Sequence, residues 1–258
     1  MDIDITEHEE WFLSYVEREM EKEANDRGPM ELKRRHTFAV LANARRMVES
    51  ERPRPERARA TLLAALYHDV ARFEQYLQYH TFRDRESLNH GRHGVRILKE
   101  EKRLDGEPRQ LAHVVLSAVG LHNSFALPGG LPGDTAFAAH VVRDADKLDI
   151  LRVLDEHLSK PGPYSPTVVL KLPDTPGRCG GKVVAAALER RVAAYADLTC
   201  VNDFRVLLGT WFFDMHFAES RRQFVTDGHG LHLLKGLPDD ANYGEARALL
   251  LAELEKYA

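Results

Sequence analysis

The adjacent pair His68-Asp69 is the strongest chemical signal in the chain. It follows Leu62-Leu63-Ala64-Ala65-Leu66, so helical geometry stacks His68 over Ala64 and Ala65, and Asp69 over Ala65 and Leu66, where the surface is otherwise apolar. Burying a carboxylate beside an imidazole with no cation or donor nearby costs several kcal/mol. The pair therefore needs a partner, and a divalent metal is the simplest one. Other polar groups interrupt apolar stripes in the same way: His36 between Leu32 and Val40, His122 at the end of a face built by Val115, Ala118 and Val119, and Asp146 between Val142 and Ile150. With His90 added, 32 residues separate His36 from His68 and His90 from His122, and 24 separate His122 from Asp146. Such intervals draw each group from a separate helix, which is how a bundle builds a metal site in its core.

Imidazole nitrogens with carboxylate oxygens suit Zn, Fe, Mn, Co or Ni better than Ca, and Mg is admitted if waters complete its shell. His36, His68, Asp69 and Asp146 suffice for one ion. Adding His90 and His122 gives enough donors for two, with the Asp69 carboxylate as the natural bridge. The residue types do not choose between one ion and two. His8, His157, His229 and His232 are read as ordinary hydrogen-bonded histidines.

The elements that must position these groups are helical. Apolar residues recur at three-to-four spacing through Trp11, Tyr15 and Val16, through Leu32, Val40 and Met47, and through Leu62, Leu63 and Leu66. Turn signals fall between them at Gly28-Pro29, Pro53-Arg54-Pro55, Asp105-Gly106 and the Pro128 to Gly133 cluster, and Pro29, Pro55 and Pro108 can each open a helix. Residues 161–181 read as an irregular connection with at most a short strand or hairpin near 165–173, and helical pattern returns from 182 to the end. The expected organisation is an all-α core over 1–160 that holds the metal site. A helical extension over 182–258 packs on it as part of one structural unit. Trp211, Phe212, Phe213 and Phe217 are read as core packing in preference to a base-stacking platform.

Composition sets the outer bounds. The 258 residues are 43% hydrophobic and carry 36 basic against 40 acidic side chains, for a net charge of −4. This describes an ordinary soluble globular protein with a core that needs no staples, and it argues against dedicated nucleic-acid binding. Cys179 and Cys200 are the two cysteines, too few for a disulfide framework, so a reducing cytoplasm is the expected location. The first ten residues are acidic, the reverse of a secretory signal. The longest stretch free of Lys, Arg, Asp and Glu, residues 110–133, is broken by histidines, glycines and prolines, so no membrane span is expected.

The order His, His-Asp, His, His, Asp resembles the HD superfamily of metal-dependent phosphohydrolases, an all-helical bundle fold named for the adjacent pair. The segments His68-Asp69-Val70-Ala71-Arg72-Phe73-Glu74-Gln75-Tyr76, Asn89-His90, His122-Asn123 and Arg143-Asp144-Ala145-Asp146-Lys147-Leu148-Asp149-Ile150 look like the pattern of one subgroup of bacterial HD-domain proteins. Thr81-Phe82, Asn202-Asp203-Phe204 and Trp211-Phe212-Phe213-Asp214 extend the likeness over nearly the whole chain. The resemblance implies His36, His68, Asp69 and Asp146 as primary ligands and His90 and His122 as ligands of a second ion. Asp149 and His93 would support them from behind, His93 being also a rival for His90.

The implied activity is hydrolysis of a small phosphorylated substrate, a phosphomonoester or phosphodiester of nucleotide-like type, by a metal-activated water. No organic cofactor is implied, only one or two divalent ions. Asp69 would orient the water, and Arg72 and Lys147 are the nearest cations in sequence for the developing charge. Between Lys33 and Arg59, nine basic residues face three glutamates, an excess that reads as a solvated helix face more readily than as a guide for anions. Two other readings use the same fold: a di-iron oxygenase resembling myo-inositol oxygenase, and a regulatory protein that senses a nucleotide without cleaving it. Cyclic dinucleotide cleavage is disfavoured, because Leu121-His122-Asn123 and Ser124-Phe125-Ala126-Leu127-Pro128 replace that branch's His-His-Glu and Asp-Gly-x-Gly-Tyr-Pro. Oligomeric state is left open.

Overall fold

The computed structural model describes residues 3–160, 162–175 and 177–257. Among them the architecture is all-α, with helices and short 3₁₀ turns and no strand. Where a short strand was admissible, residues 167–171 form consecutive turns, with Val168 and Val169 N–H donating to the Ser165 carbonyl and Leu172 N–H to that of Val169. The chain divides into two compact units, residues 1–146 and 147–258.

In the first unit, α1 spans Thr6–Glu21, α2 Gly28–Glu51, α3 Pro55–Tyr67, α4 Arg72–Tyr79, α5 His90–Glu100 and α6 Arg109–Leu121, and the long α7, Gly133–Leu158, begins there. Pro29 and Pro55 lie in the first turns of α2 and α3, where a missing N–H costs nothing and the fixed φ suits the helix. The centre of the unit is α3, whose Leu62, Leu63, Ala64, Ala65 and Leu66 are all buried. It packs against α2 and α6, while α5 packs on α6. Full burial of each such leucine contributes about 1.5–3 kcal/mol, and the alanines between them let neighbouring helices come close.

The second unit contains α8 (Gly181–Leu188), α9 (Val201–Thr210), α10 (Ala218–Thr226), α11 (His229–Lys235) and α12 (Gly244–Glu255). Its centre is α9, packed against α8, α11 and α12, with Phe204, Leu207, Leu208, Phe224, Leu234 and Leu250 buried. Trp211, Phe212 and Phe217 are buried as well. Among the described residues no helix is long and apolar enough to cross a membrane. The two cysteines are free thiols, Cys200 buried and Cys179 partly so.

Candidate metal centre

The first unit brings six residues to one place. His36 comes from the third turn of α2, His68 and Asp69 from the turn that ends α3, His90 from the first position of α5, His122 from the residue that ends α6, and Asp146 from the middle of α7. His36, His68, Asp69, His90 and His122 are each less than 5% exposed, and Asp146 is partly exposed.

Local structure fixes how the imidazoles point. His68 and His122 occupy equivalent places at the ends of their helices, where the last carbonyls lack helical partners. His68 Nδ1 lies 2.7 Å from the Ala65 carbonyl, and His122 Nδ1 lies 2.7 Å from that of Val119. A carbonyl only accepts, so each neutral ring carries its proton on Nδ1 and leaves a lone pair on Nε2. His90 Nδ1 faces both oxygens of Asp84 at 2.8 and 2.7 Å, which gives the same tautomer. Asn89 caps α5 by accepting from Arg92 N–H at 2.9 Å, and this cap sets His90 at the helix start. Gly91 lets α5 approach the end of α6: a Cβ there would meet Asn123 Oδ1 at 2.8 Å and the Val119 carbonyl at 3.0 Å.

The Nε2 atoms of these three rings and of His36 converge on Asp69. Its Oδ2 lies 3.6 Å from His36 Nε2 and 3.6 Å from His68 Nε2, and its Oδ1 lies 3.4 Å from His90 Nε2 and 3.8 Å from His122 Nε2. Asp146 Oδ1 closes the first group at 3.0 Å from His36 Nε2 and 3.8 Å from His68 Nε2. Two sets thus share Asp69, one with His36 and His68 and one with His90 and His122, and either can hold a metal ion.

Two observations test the fit. His68 Nε2 is buried and makes no hydrogen bond, an expense a protein normally avoids. His90 and His122 set Nε2 against Nε2 at 3.0 Å, two lone pairs in mutual repulsion. Imidazole nitrogens about 2.1 Å from one shared ion lie about 3.0–3.4 Å apart, so a cation in each set relieves the fault of that set.

The electrostatics agree with this. Burial pushes the His68 imidazole down to about 4, and burial with the nearby Arg72 charge pushes His90 down to about 3. Both rings are therefore neutral near pH 7, the form that binds metal. Burial alone would raise the Asp69 carboxyl, but the Lys33 and Arg72 charges outweigh it and hold the group well below the usual carboxylate range. Burial likewise opposes ionisation of Asp146, and the His36 hydrogen bond and His68 hold it low.

Asp69 is flanked by two cations. Lys33 Nζ is 2.7 Å from Oδ2 and Arg72 Nε is 3.1 Å from Oδ1, and both cations lie over the Phe82 ring, at 5.5 and 5.6 Å from its centroid. The remaining sequence candidates have other partners. Lys147 pairs with Asp214, His93 with Glu74 at 2.7 Å, and Asp149 with Arg152 at 2.6 Å. Most of the basic excess of residues 33–59 is spent on acids elsewhere: Arg34 on Glu31, Arg45 on Glu9, Arg54 and Arg57 on Asp134, and Arg59 on Glu107.

Lys33, Asp84 and the Asn123 amide were not selected from sequence. Lys33 stands one turn before His36 on the same helix face, a signal that i, i+3 spacing offered. Asp84 sits in the 3₁₀ turn Asp84–Glu86, where no periodicity announces it.

Residues 34–151 match the family model described as HD domain. Comparison with curated proteins and with solved structures gives no match.

Proposed function

We propose that the chain, whose residues 34–151 match the HD-domain family model, is a metal-dependent phosphohydrolase acting on a nucleotide-like phosphomonoester or phosphodiester. The observation that carries this reading is the Asp69 carboxylate, which faces two histidine pairs with its two oxygens while Lys33 and Arg72 stand beside it. His36, His68, Asp69 and Asp146 would hold a first divalent ion, and Asp69, His90 and His122 a second. Such ions supply Lewis acidity toward a phosphoryl oxygen and a water nucleophile near neutral pH.

The chain's own residues do the remaining work. Lys33 and Arg72 carry fixed positive charge at the edge of the cluster, where a phosphoryl group gathers negative charge during in-line attack. Asp69 is held deprotonated by those same cations, so it positions charge and does not serve as a proton acceptor near pH 7. Asp146, the partly exposed carboxylate, is the one able to accept a hydrogen bond from an attacking water at the solvent side. Lys147 belongs to the proposal only if it leaves Asp214.

The test is reconstitution of metal-stripped protein with Mn, Fe, Co, Ni, Zn or Mg, each assayed on a panel of phosphoesters. Turnover with at least one ion, lost in His68→Ala and Asp69→Ala, is expected. Full metal loading without turnover of any phosphoester, together with oxygen uptake by the iron form, would replace this reading with oxygen chemistry.

A further inference from the structure

We propose that Asp84 is the positioning residue that commits His90 to the second ion. This rests on the two-ion part of the function proposed above. His68 and His122 are oriented by carbonyls of their own helices, Ala65 and Val119, at 2.7 Å each. His90 cannot use that device. It is the first residue of α5, and a helix start presents N–H groups where a helix end presents carbonyls. An acceptor must come from outside the helix, and Asp84 supplies it with both oxygens.

Asp84 is itself held in place. Asn123 Nδ2 donates to its Oδ2 at 2.9 Å, and Gln75 Nε2 and Arg72 Nη1 donate to its Oδ1 at 3.1 and 3.3 Å. Gln75 also donates to Ser87 Oγ at 2.8 Å, which in turn donates to the Arg83 carbonyl at 2.8 Å. A turn of the chain, tied by side chains from α4 and from the residue after His122, thus fixes the ring. Without the Asp84 carboxylate, His90 is free to move its proton to Nε2, and the lone pair leaves the cluster. His68, in the first position, takes its orientation from its own helix and does not depend on Asp84. The second ion is therefore the weaker one, and a single loop carboxylate decides it.

Titration of metal-free protein with Mn²⁺ or Zn²⁺ alone, followed by calorimetry and metal analysis, tests this without any substrate. Wild type should bind two ions in resolved steps. Asp84→Ala should weaken the second step about 10–100-fold, the usual cost of losing a group that orients a ligand, and leave the first within about twofold. Asp84→Asn, which keeps an acceptor oxygen without the charge, should fall between them and guards against a folding defect in the alanine variant. In the His90→Ala background, Asp84→Ala should cost nothing further. Imidazole ¹⁵N spectra of the metal-free protein should show His90 leaving the Nδ1–H form in Asp84→Ala while His68 and His122 keep it.

Two ions of unchanged affinity in both Asp84 variants, or losses that add in the double variant, would overturn the proposal. A wild-type chain that takes up one ion yet cleaves a phosphoester would overturn it while leaving the function standing. Two ions with no phosphoester cleaved would do the reverse.

Discussion

Asp69 in the first unit and Asp203 in the second are both fully buried carboxylates, yet their surroundings differ in kind. Asp203 accepts hydrogen bonds from Gly180 N–H at 2.8 Å, Thr199 N–H at 2.8 Å, Thr199 Oγ at 2.6 Å and the Tyr243 hydroxyl at 2.9 Å. Every one of these is a neutral donor, and the set ties the chain before α8 and α9 to the residue before α12. Asp69 has two cations at its oxygens and imidazole lone pairs around them, one of which lies buried with no hydrogen bond. A carboxylate saturated by donors serves the fold. One surrounded by further lone pairs is arranged for a cation that the polypeptide does not supply.

The sharpest way to break this contrast is to remove each carboxylate in turn. Asp69→Ala should abolish binding of both ions and lower phosphoester turnover by about 10³-fold or more, read by metal analysis and initial rates. Asp203→Ala should leave metal content unchanged and cost about 3 kcal/mol of stability, because several buried donors lose their acceptor. Denaturant unfolding of the second variant checks the latter. Equal metal loss in both variants would erase the distinction.

A metal ion should also stabilise only through the first cluster. At an ion concentration about 100 times its dissociation constant, wild type should gain about 2.7 kcal/mol per site, and Asp69→Ala should gain none in the same melts. Gly91→Ala refines the contrast within the first unit. The added methyl must push α5 from the Val119 carbonyl and Asn123, which should cost about 1–3 kcal/mol and weaken the second ion more than the first in a metal titration.

The smallest effect is a pH dependence. Burial opposes ionisation of Asp203, but the Thr199 and Gly180 hydrogen bonds outweigh it and hold the carboxyl below its usual value. The stability it contributes is complete above the unfolded-state pKa of about 3.9 and is lost as pH falls through the lower folded-state value. Asp203→Asn should flatten that acid limb of the stability curve.

Much of this was legible in the residue string. His36, His68, His122 and Asp146 each break an apolar stripe, and a polar side chain in such a position must find a partner inside the protein. The all-α class was legible for the same reason, since three-to-four periodicity admits one kind of element. The cations were harder. Arg72 and Lys147 stand in comparable positions near predicted ligands, but Arg72 reaches Asp69 and Lys147 pairs with Asp214. Lys33 was one of nine basic residues in its stretch, set apart by its i, i+3 spacing to His36. Asp84 lay in a loop, where spacing carries no information about direction.

The sequence by itself determined which side chains must be buried against their nature, because hydrophobic periodicity assigns a face to every helical residue. Only the tertiary structure decided which cation answers which carboxylate and which atom of each imidazole is left open. Those depend on where helix ends and turns meet in space, within a few tenths of an ångström, and residue order along the chain does not encode distances of that kind directly.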